Sequence, residues 1–188
     1  VADTALAIGA DTINRHVAPG ELYEATASAG AAAFVISTTD LVAEIEASTS
    51  VSSDLSDFFR PEGERYIKCA MGLGATTWEV GSTDHVTRAV QSLTAKLGTT
   101  PGDYAFAVFQ QPYGSTPYGV AKALGFQREQ VAPAVIADRI GDCGAASSLL
   151  ALAHVLDRAQ GGERVLLASY GFGAGSDAFS LRILPRIR

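Results

Sequence analysis

Apolar and polar positions along the chain fall into short runs separated by glycine, proline and small polar residues. Leu6-Ala-Ile-Gly9, closed by Ala10-Asp11, has the pattern of a buried strand, and Ala31-Ala-Ala-Phe-Val-Ile36 that of a second. Between Leu41 and Ala47 apolar residues alternate with Glu44 and Glu46, which predicts a half-exposed strand, although a helix fits nearly as well. Ser48 to Gly81 is rich in Ser, Gly, Asp and Thr and predicts a long irregular segment, a lid or docking element. Thr83 stands where an N-cap would, and Val86, Ala89, Val90, Leu93 and Leu97 follow at helical spacing until Gly98, which predicts an amphipathic helix. Tyr104 to Phe109 reads as a buried strand, and Thr116-Pro117 opens a short helix that Leu124-Gly125 closes. Val131 to Ala137 reads as another strand. Ala145 to Ala159 is a helix apolar on nearly every face, the sign of burial on all sides, and Gly161-Gly162 ends it. Two strands, Arg164 to Tyr170 and Asp177 to Leu184, flank Gly171-Phe-Gly-Ala-Gly175. This alternation predicts a layered α/β fold whose central helix is covered by sheets.

Composition narrows the function. With 188 residues and 47% hydrophobic side chains the chain can bury a sizeable core. Its 14 basic and 20 acidic side chains leave a net charge of -6, a sign that repels phosphate backbones, so no nucleic-acid partner is expected. The longest apolar run, Leu149 to Leu156, is interrupted by His154 and is far shorter than the ~20 residues of a membrane span. No charged-then-apolar leader follows Val1, and Cys69 and Cys143 are too few for a disulfide framework, so a cytoplasmic, reduced protein without membrane attachment is expected. Val1 nevertheless stands close to a strand-like run, as if sequence preceded it.

Candidate chemistry is sparse. Gly171 to Gly175 leads into a strand-like run and not a helix, and lacks Gly-Lys-Ser/Thr, so its context is wrong for phosphate binding. It reads as a tight strand connection whose amides, with Gly171, Gly173, Gly175 and Ser176, can line an oxyanion pocket. Gln110 ends a buried strand, where α/β proteins place functional side chains, and serves either loop backbone or substrate. Asp142 is placed to cap Ala145 or Ala146, or to act in a site. Cys143, near a helix start, is either a thiol of lowered pKa or a small buried hydrophobe. His16, His85 and His154 are dispersed, as packing or surface residues are. No metal-ligand set, nucleophile elbow or self-sufficient Ser or Cys triad is visible.

Taken together, several segments resemble the 3-hydroxy-3-methylglutaryl-CoA synthase family, archaeal and bacterial type, of the thiolase superfamily. They are Ala7-Ile-Gly-Ala-Asp-Thr12, Ala31 to Ile36, Ala43-Glu-Ile-Glu46, Asp57-Phe-Phe-Arg60, Ala107-Val-Phe-Gln-Gln-Pro112, Ala121-Lys-Ala-Leu-Gly-Phe126, Ile140-Gly-Asp142 and Ser169-Tyr-Gly-Phe-Gly-Ala-Gly-Ser-Asp-Ala-Phe179, in order over nearly the whole chain. The resemblance implies a thiolase-like fold of layered helices and mixed sheets, of which the chain is about the later half. Residues 1–47 would end the N-terminal half, 48–81 form the lid or interface segment and 82–188 the C-terminal half. It also implies chemistry on a coenzyme A thioester, with no bound cofactor, by a Cys, a Glu, a His and an Asn. The Cys and Glu lie outside the matched part, and Gln110 and Asp142 occupy the His and Asn positions. An amide can polarise a thioester carbonyl but cannot shuttle a proton as imidazole does. A carboxylate at Asp142 would repel a developing enolate or thiolate.

Three readings follow. In the first, the chain completes an acyltransferase or C–C bond-forming enzyme whose nucleophile comes from a thiolase-like partner chain in a homo- or hetero-oligomer. In the second it is a non-catalytic thiolase-like subunit that stabilises such a partner, and in the third a fragment of a longer synthase. The resemblance further implies association with a thiolase and with a small OB-fold, zinc-ribbon protein.

Overall fold

The computed structural model describes residues 3–69, 79–171 and 173–185. Strand β1 (Thr4–Thr12) pairs antiparallel with β2 (Ala29–Ser37), with Leu6 opposite Val35 and Ile8 opposite Ala33. Strand β3 (Ala43–Ser52) begins a four-stranded mixed sheet of order β3-β8-β7-β6, in which β6 (Phe106–Phe109) runs parallel to β7 (Arg164–Gly171) and β8 (Gly175–Ile183) antiparallel to β7 and β3. A short ladder joins β4 (Phe58–Phe59) to β5 (Lys68–Cys69). Helix α1 spans Asp84–Leu97, α2 Thr116–Leu124, α3 Arg128–Val131, α4 Ala137–Ile140 and α5 Ser147–Leu156.

The alternation within β6 and β7 sets the layers. Ala107, Phe109, Leu166, Ala168 and Tyr170 face α1, where they meet Val86, Ala89, Val90 and Leu93. Val108, Val165 and Leu167 face the other way and pack with Ala151, Leu152 and Val155 of α5. A strand covered on both faces must be apolar at successive positions, which is why these runs are continuous and not alternating. Helix α5 lies between this sheet and β1–β2, but it is not buried on all sides as its apolar pattern predicts: Ala153 is exposed and Leu149, Leu150 and Leu156 are half-buried. Glycines permit that second contact. A Cβ on Gly9 would lie 2.6 Å from the Ala145 carbonyl oxygen, and one on Gly30 2.9 Å from the Cys143 sulfur.

Several expectations are corrected. β1 and β2 are strands, but not buried ones: Leu6 (59%), Ile8 (63%) and Val35 (69%) stand exposed on one face and Ile36 (45%) on the other. The segment from Ser48 is less irregular than its composition suggests, because β3 continues to Ser52 by pairing with β8 and β4–β5 follows. Strand β3 thereby crosses the expected boundary at residue 47. Residues 70–78 of that segment lie outside the described residues. Thr83 is not a cap; its backbone is helical and continues a π-helical turn over Glu79–Thr83. Val131 to Ala137 is no strand. Pro133 removes a ladder donor there, a 3-10 turn covers Ala132–Ala134, and the buried Gln111 side chain holds the segment. Gln111 Nε2 donates to the Ala134 carbonyl at 3.0 Å, and its Oε1 accepts from the Ile136 and Ala137 amides at 2.8 and 2.9 Å.

Candidate functional site

Gln110 is the first residue after β6, at the C-terminal end of a strand parallel to β7. Its amide donates to the Ala168 carbonyl at 3.0 Å, which continues the ladder and fixes the side chain beyond the sheet edge. There Gln110 Nε2 donates to the Gly144 carbonyl at 3.1 Å. One N–H of the carboxamide is thus engaged, and among the described residues the second has no protein acceptor. Gln110, Ala145 and Ser148 form one side of a cleft of about 520 Å³. Ser52, Ser53, Ser169, Tyr170, Asp177 and the glycine loop at Gly171, Gly173 and Gly175 complete it.

The glycine loop is anchored by a residue that sequence reasoning missed. Asp57, 5% exposed, accepts from the Tyr170 hydroxyl at 2.6 Å and from the Gly173 amide at 2.9 Å. Burial, then the hydrogen bond and charge of Asp57, push the Tyr170 hydroxyl far above its ordinary pKa, so it remains a donor. The Ala174 amide faces the Ser53 carbonyl at 3.4 Å. The amides of Gly173 and Ala174 are therefore committed to protein acceptors, and the oxyanion role expected for Gly173 is corrected accordingly. Ser176 turns inward and donates to the Ser169 carbonyl at 2.7 Å, so its hydroxyl is not part of the cleft wall. What remains of the expected group is Gln110, Gly171, Gly173 and Gly175, which line the same cleft.

Asp142 is fully buried and lies off the cleft lining. One carboxylate oxygen accepts from the Gly144 amide at 2.8 Å and from Ser147 Oγ at 2.6 Å, and the other from the Tyr23 hydroxyl. Its backbone is clamped as well, with its amide on the Thr26 carbonyl at 2.7 Å and its carbonyl receiving the Ser28 amide at 2.8 Å. Asp142 therefore caps the 3-10 turn Gly144–Ala146 through Gly144, not Ala145 or Ala146. Asp11 Oδ2, from β1, takes the Ala145 amide at 3.3 Å.

Cys143 is buried 1% exposed beside Asp142. Burial pushes its thiol pKa up, and the charges of Asp142 and Asp11 add to that against a hydrogen bond from Ser28. The alternative of a lowered thiol pKa does not fit, because the sulfur is buried with the charges of Asp142 and Asp11 near it. A thiol kept neutral is a poor nucleophile.

His85, read as packing or surface, is 2% exposed on α1. Its Nδ1 lies 2.6 Å from the Gly81 carbonyl and its Nε2 2.6 Å from Ser53 Oγ at the cleft wall. Nothing in the spacing of Ser53 and His85 signals this contact, since the two are brought together by β3 and α1 packing. Among the described residues, no group of three or more His, Cys, Asp or Glu could hold a metal ion, and no helix is long and apolar enough to cross a membrane.

Comparison with known proteins places this geometry. Residues 94–183 match the family described as 3-Oxoacyl-[acyl-carrier-protein (ACP)] synthase III C terminal. A hydroxymethylglutaryl-CoA synthase of Methanopyrus kandleri is 47% identical over 182 residues, 97% of this chain and 51% of that protein. The one of Methanocaldococcus jannaschii is 43% identical over 182 residues, again 97% of this chain and 51% of that protein. Among solved structures, 3-oxoacyl-[acyl-carrier-protein] synthase III from Aquifex aeolicus superposes with a TM-score of 0.84 at 20% identity, over 96% of this chain and 58% of that one. An HMG-CoA synthase complexed with CoA superposes at 0.82 and 17% identity, over 97% and 49%. At such identities the structures establish the thiolase-like fold. The chain spans about half the length of the curated relatives it matches. By sequence and fold together, this chain belongs with the hydroxymethylglutaryl-CoA synthase-like proteins of the thiolase superfamily and corresponds to their C-terminal half.

Proposed function

We propose that the cleft is one wall of an acyl-thioester site in a C–C bond-forming acyltransferase of the hydroxymethylglutaryl-CoA synthase type. The nucleophilic Cys would come from residues outside this chain, in a longer polypeptide or a thiolase-like partner. The observation that carries the reading is the convergence of the uncommitted Gln110 carboxamide N–H with the Gly171 to Gly175 loop on one open cleft. The CoA bound to a structural relative and the sequence identity to named synthases support a CoA thioester as ligand. Gln110 would donate a hydrogen bond to the thioester carbonyl oxygen and polarise it. It holds no proton to exchange near neutral pH, so acid–base work falls to other groups.

A second reading is favoured by Asp142. A carboxylate with both oxygens occupied inside the fold acts on no substrate, as expected of a non-catalytic subunit that supports an active partner. Native mass spectrometry of the protein from its own host, with and without an acyl-CoA, separates the two. Co-purification with a Cys-bearing thiolase-like chain that gains acyl mass, together with a roughly 10²-fold loss of turnover in Gln110→Ala, is the expected result. Turnover unchanged in Gln110→Ala leaves the supporting role, and a species that neither binds CoA nor acquires acyl mass overturns the catalytic reading and leaves a supporting subunit or a fragment.

A further inference from the structure

We propose that Ser53 and His85 form a nucleophile–base pair that takes an acyl group from a thioester in the same cleft. The proposal rests on the reading above only for the identity of the acyl donor. Ser53 follows the end of β3, is exposed and lines the cleft, whereas His85 is buried behind it. The two side chains meet at 2.6 Å between Oγ and Nε2.

The direction of that hydrogen bond follows from the other ring nitrogen. A backbone carbonyl only accepts, so the contact of Nδ1 with the Gly81 oxygen at 2.6 Å places the proton of the neutral imidazole on Nδ1. Nε2 is then the acceptor, and the Ser53 hydroxyl donates to it. This is the arrangement of an activated hydroxyl: nucleophile on base, base oriented by a third group.

The surrounding contacts hold each member in place. The Ser53 amide donates to the Ala174 carbonyl at 3.1 Å, and the Ser53 carbonyl faces the Ala174 amide, so Ser53 is tied to the glycine loop from both sides. The imidazole packs edge-on against the Tyr170 ring at 5.9 Å between centroids, and Tyr170 is held by Asp57. Gly81 packs closely here: a Cβ would lie 3.0 Å from the Tyr170 hydroxyl. The pair therefore sits in a fixed frame, with its hydroxyl at the cleft surface.

The step balances without a further reactant. Ser53 Oγ attacks the thioester carbonyl carbon as its proton passes to His85 Nε2. The tetrahedral adduct collapses with cleavage of the C–S bond, and the Nε2 proton goes to the departing sulfur. An ester on Ser53 and a free thiol result. Water attacking by the same route releases the carboxylic acid and restores the hydroxyl.

The test uses the protein from its own host with whatever chains accompany it. It is incubated with S-acetyl-N-acetylcysteamine, a thioester without the nucleotide of CoA, and its peptides are mapped by mass. The expected result is an acetyl group on Ser53 in far higher occupancy than on the neighbouring exposed Ser52 and Ser56, and none at that position in Ser53→Ala. In His85→Gln, acetylation of Ser53 should slow on the order of 10²-fold, the usual contribution of a general base. Because His85→Gln alters a buried side chain, the comparison among Ser52, Ser53 and Ser56 within the unaltered protein decides the matter if that variant does not fold. Ser53 acetylated no more than Ser52 and Ser56, or at an unchanged rate in folded His85→Gln, makes the contact a structural hydrogen bond and overturns the proposal. Equilibrium dialysis of CoA separates the two readings. No CoA bound with Ser53 acetylated retires the CoA-site reading alone, and CoA bound with Ser53 unacetylated retires the pair alone.

Discussion

Asp142 accepts from Gly144, Ser147 and Tyr23, and this occupancy determines what can replace it. An asparagine offers one carbonyl oxygen where the carboxylate offers two, so one of these donors would face an NH2 group inside a closed pocket. Asp142→Asn is expected to destabilise the fold by about 1–3 kcal/mol, the cost of leaving a buried donor unsatisfied. Urea unfolding with an unchanged slope would show this as a lower midpoint. A midpoint identical to the unaltered protein would mean that the pocket rearranges around the amide. Gln110 illustrates the opposite case: only one of its amide hydrogens is held by the fold, and the remainder faces the cleft.

At the scale of elements, β3 carries a device that its alternating pattern conceals. The register with β8 passes from Ile45 opposite Leu181 to Ala47 opposite Ser180, which leaves Glu46 as an extra residue in the strand. The bulge turns its carboxylate onto Arg164, with contacts of 2.9 and 3.1 Å, onto Arg182 at 3.1 Å and onto Ser180 at 2.7 Å. Burial raises the Glu46 pKa, but the hydrogen bonds from Arg164 and Ser180 and the charges of Arg164 and Arg182 outweigh it and hold the carboxyl below its ordinary value. A depressed folded pKa contributes stability that is present above the unfolded value of about 4.3 and is lost as pH falls through the folded one. Glu46→Gln is therefore expected to lower stability by about 1–3 kcal/mol at neutral pH, the range for hydrogen bonds to charged groups. The gap between variant and parent should narrow as pH falls from the unfolded value of about 4.3 toward the lower folded one. Thermal melts across that range check it, and a constant gap would assign the effect to packing.

Over the whole molecule, the open face is the outer side of β1–β2, where Leu6, Ile8 and Val35 stand exposed on a sheet whose other side is partly covered by α5 and the Gly144–Ala146 turn. Apolar strands of this kind ordinarily have cover on both faces, and an uncovered apolar patch promotes association. We expect the 188-residue chain on its own to self-associate with rising concentration. Ile8→Lys with Val35→Lys should abolish that association while leaving the melting temperature nearly unchanged, since both side chains already meet water. Sedimentation velocity reads the outcome. A parent chain that stays monomeric at every concentration would show that the face needs no cover.

Local periodicity determined much of this protein without help. The stripe from Val86 to Leu97 gave a helix closed by Gly98, the continuous apolar runs gave β6 and β7, and the all-round apolarity of Leu149 to Val155 placed α5 between sheets. These follow from contacts two, three or four residues apart, which a linear pattern records. The position of Gln110 at a strand end was legible for the same reason. Only the tertiary structure decided the partnerships across distance: Tyr23 with Asp142, Asp11 capping Ala145, Asp57 anchoring Gly173 and Ser53 against His85. It also overruled the strand-like reading of Val131 to Ala137, where Pro133 and the Gln111 side chain supply the backbone with other partners. Such contacts arise when layers pack and distant polar groups are closed off from water together, and no spacing along the chain encodes which of them will meet.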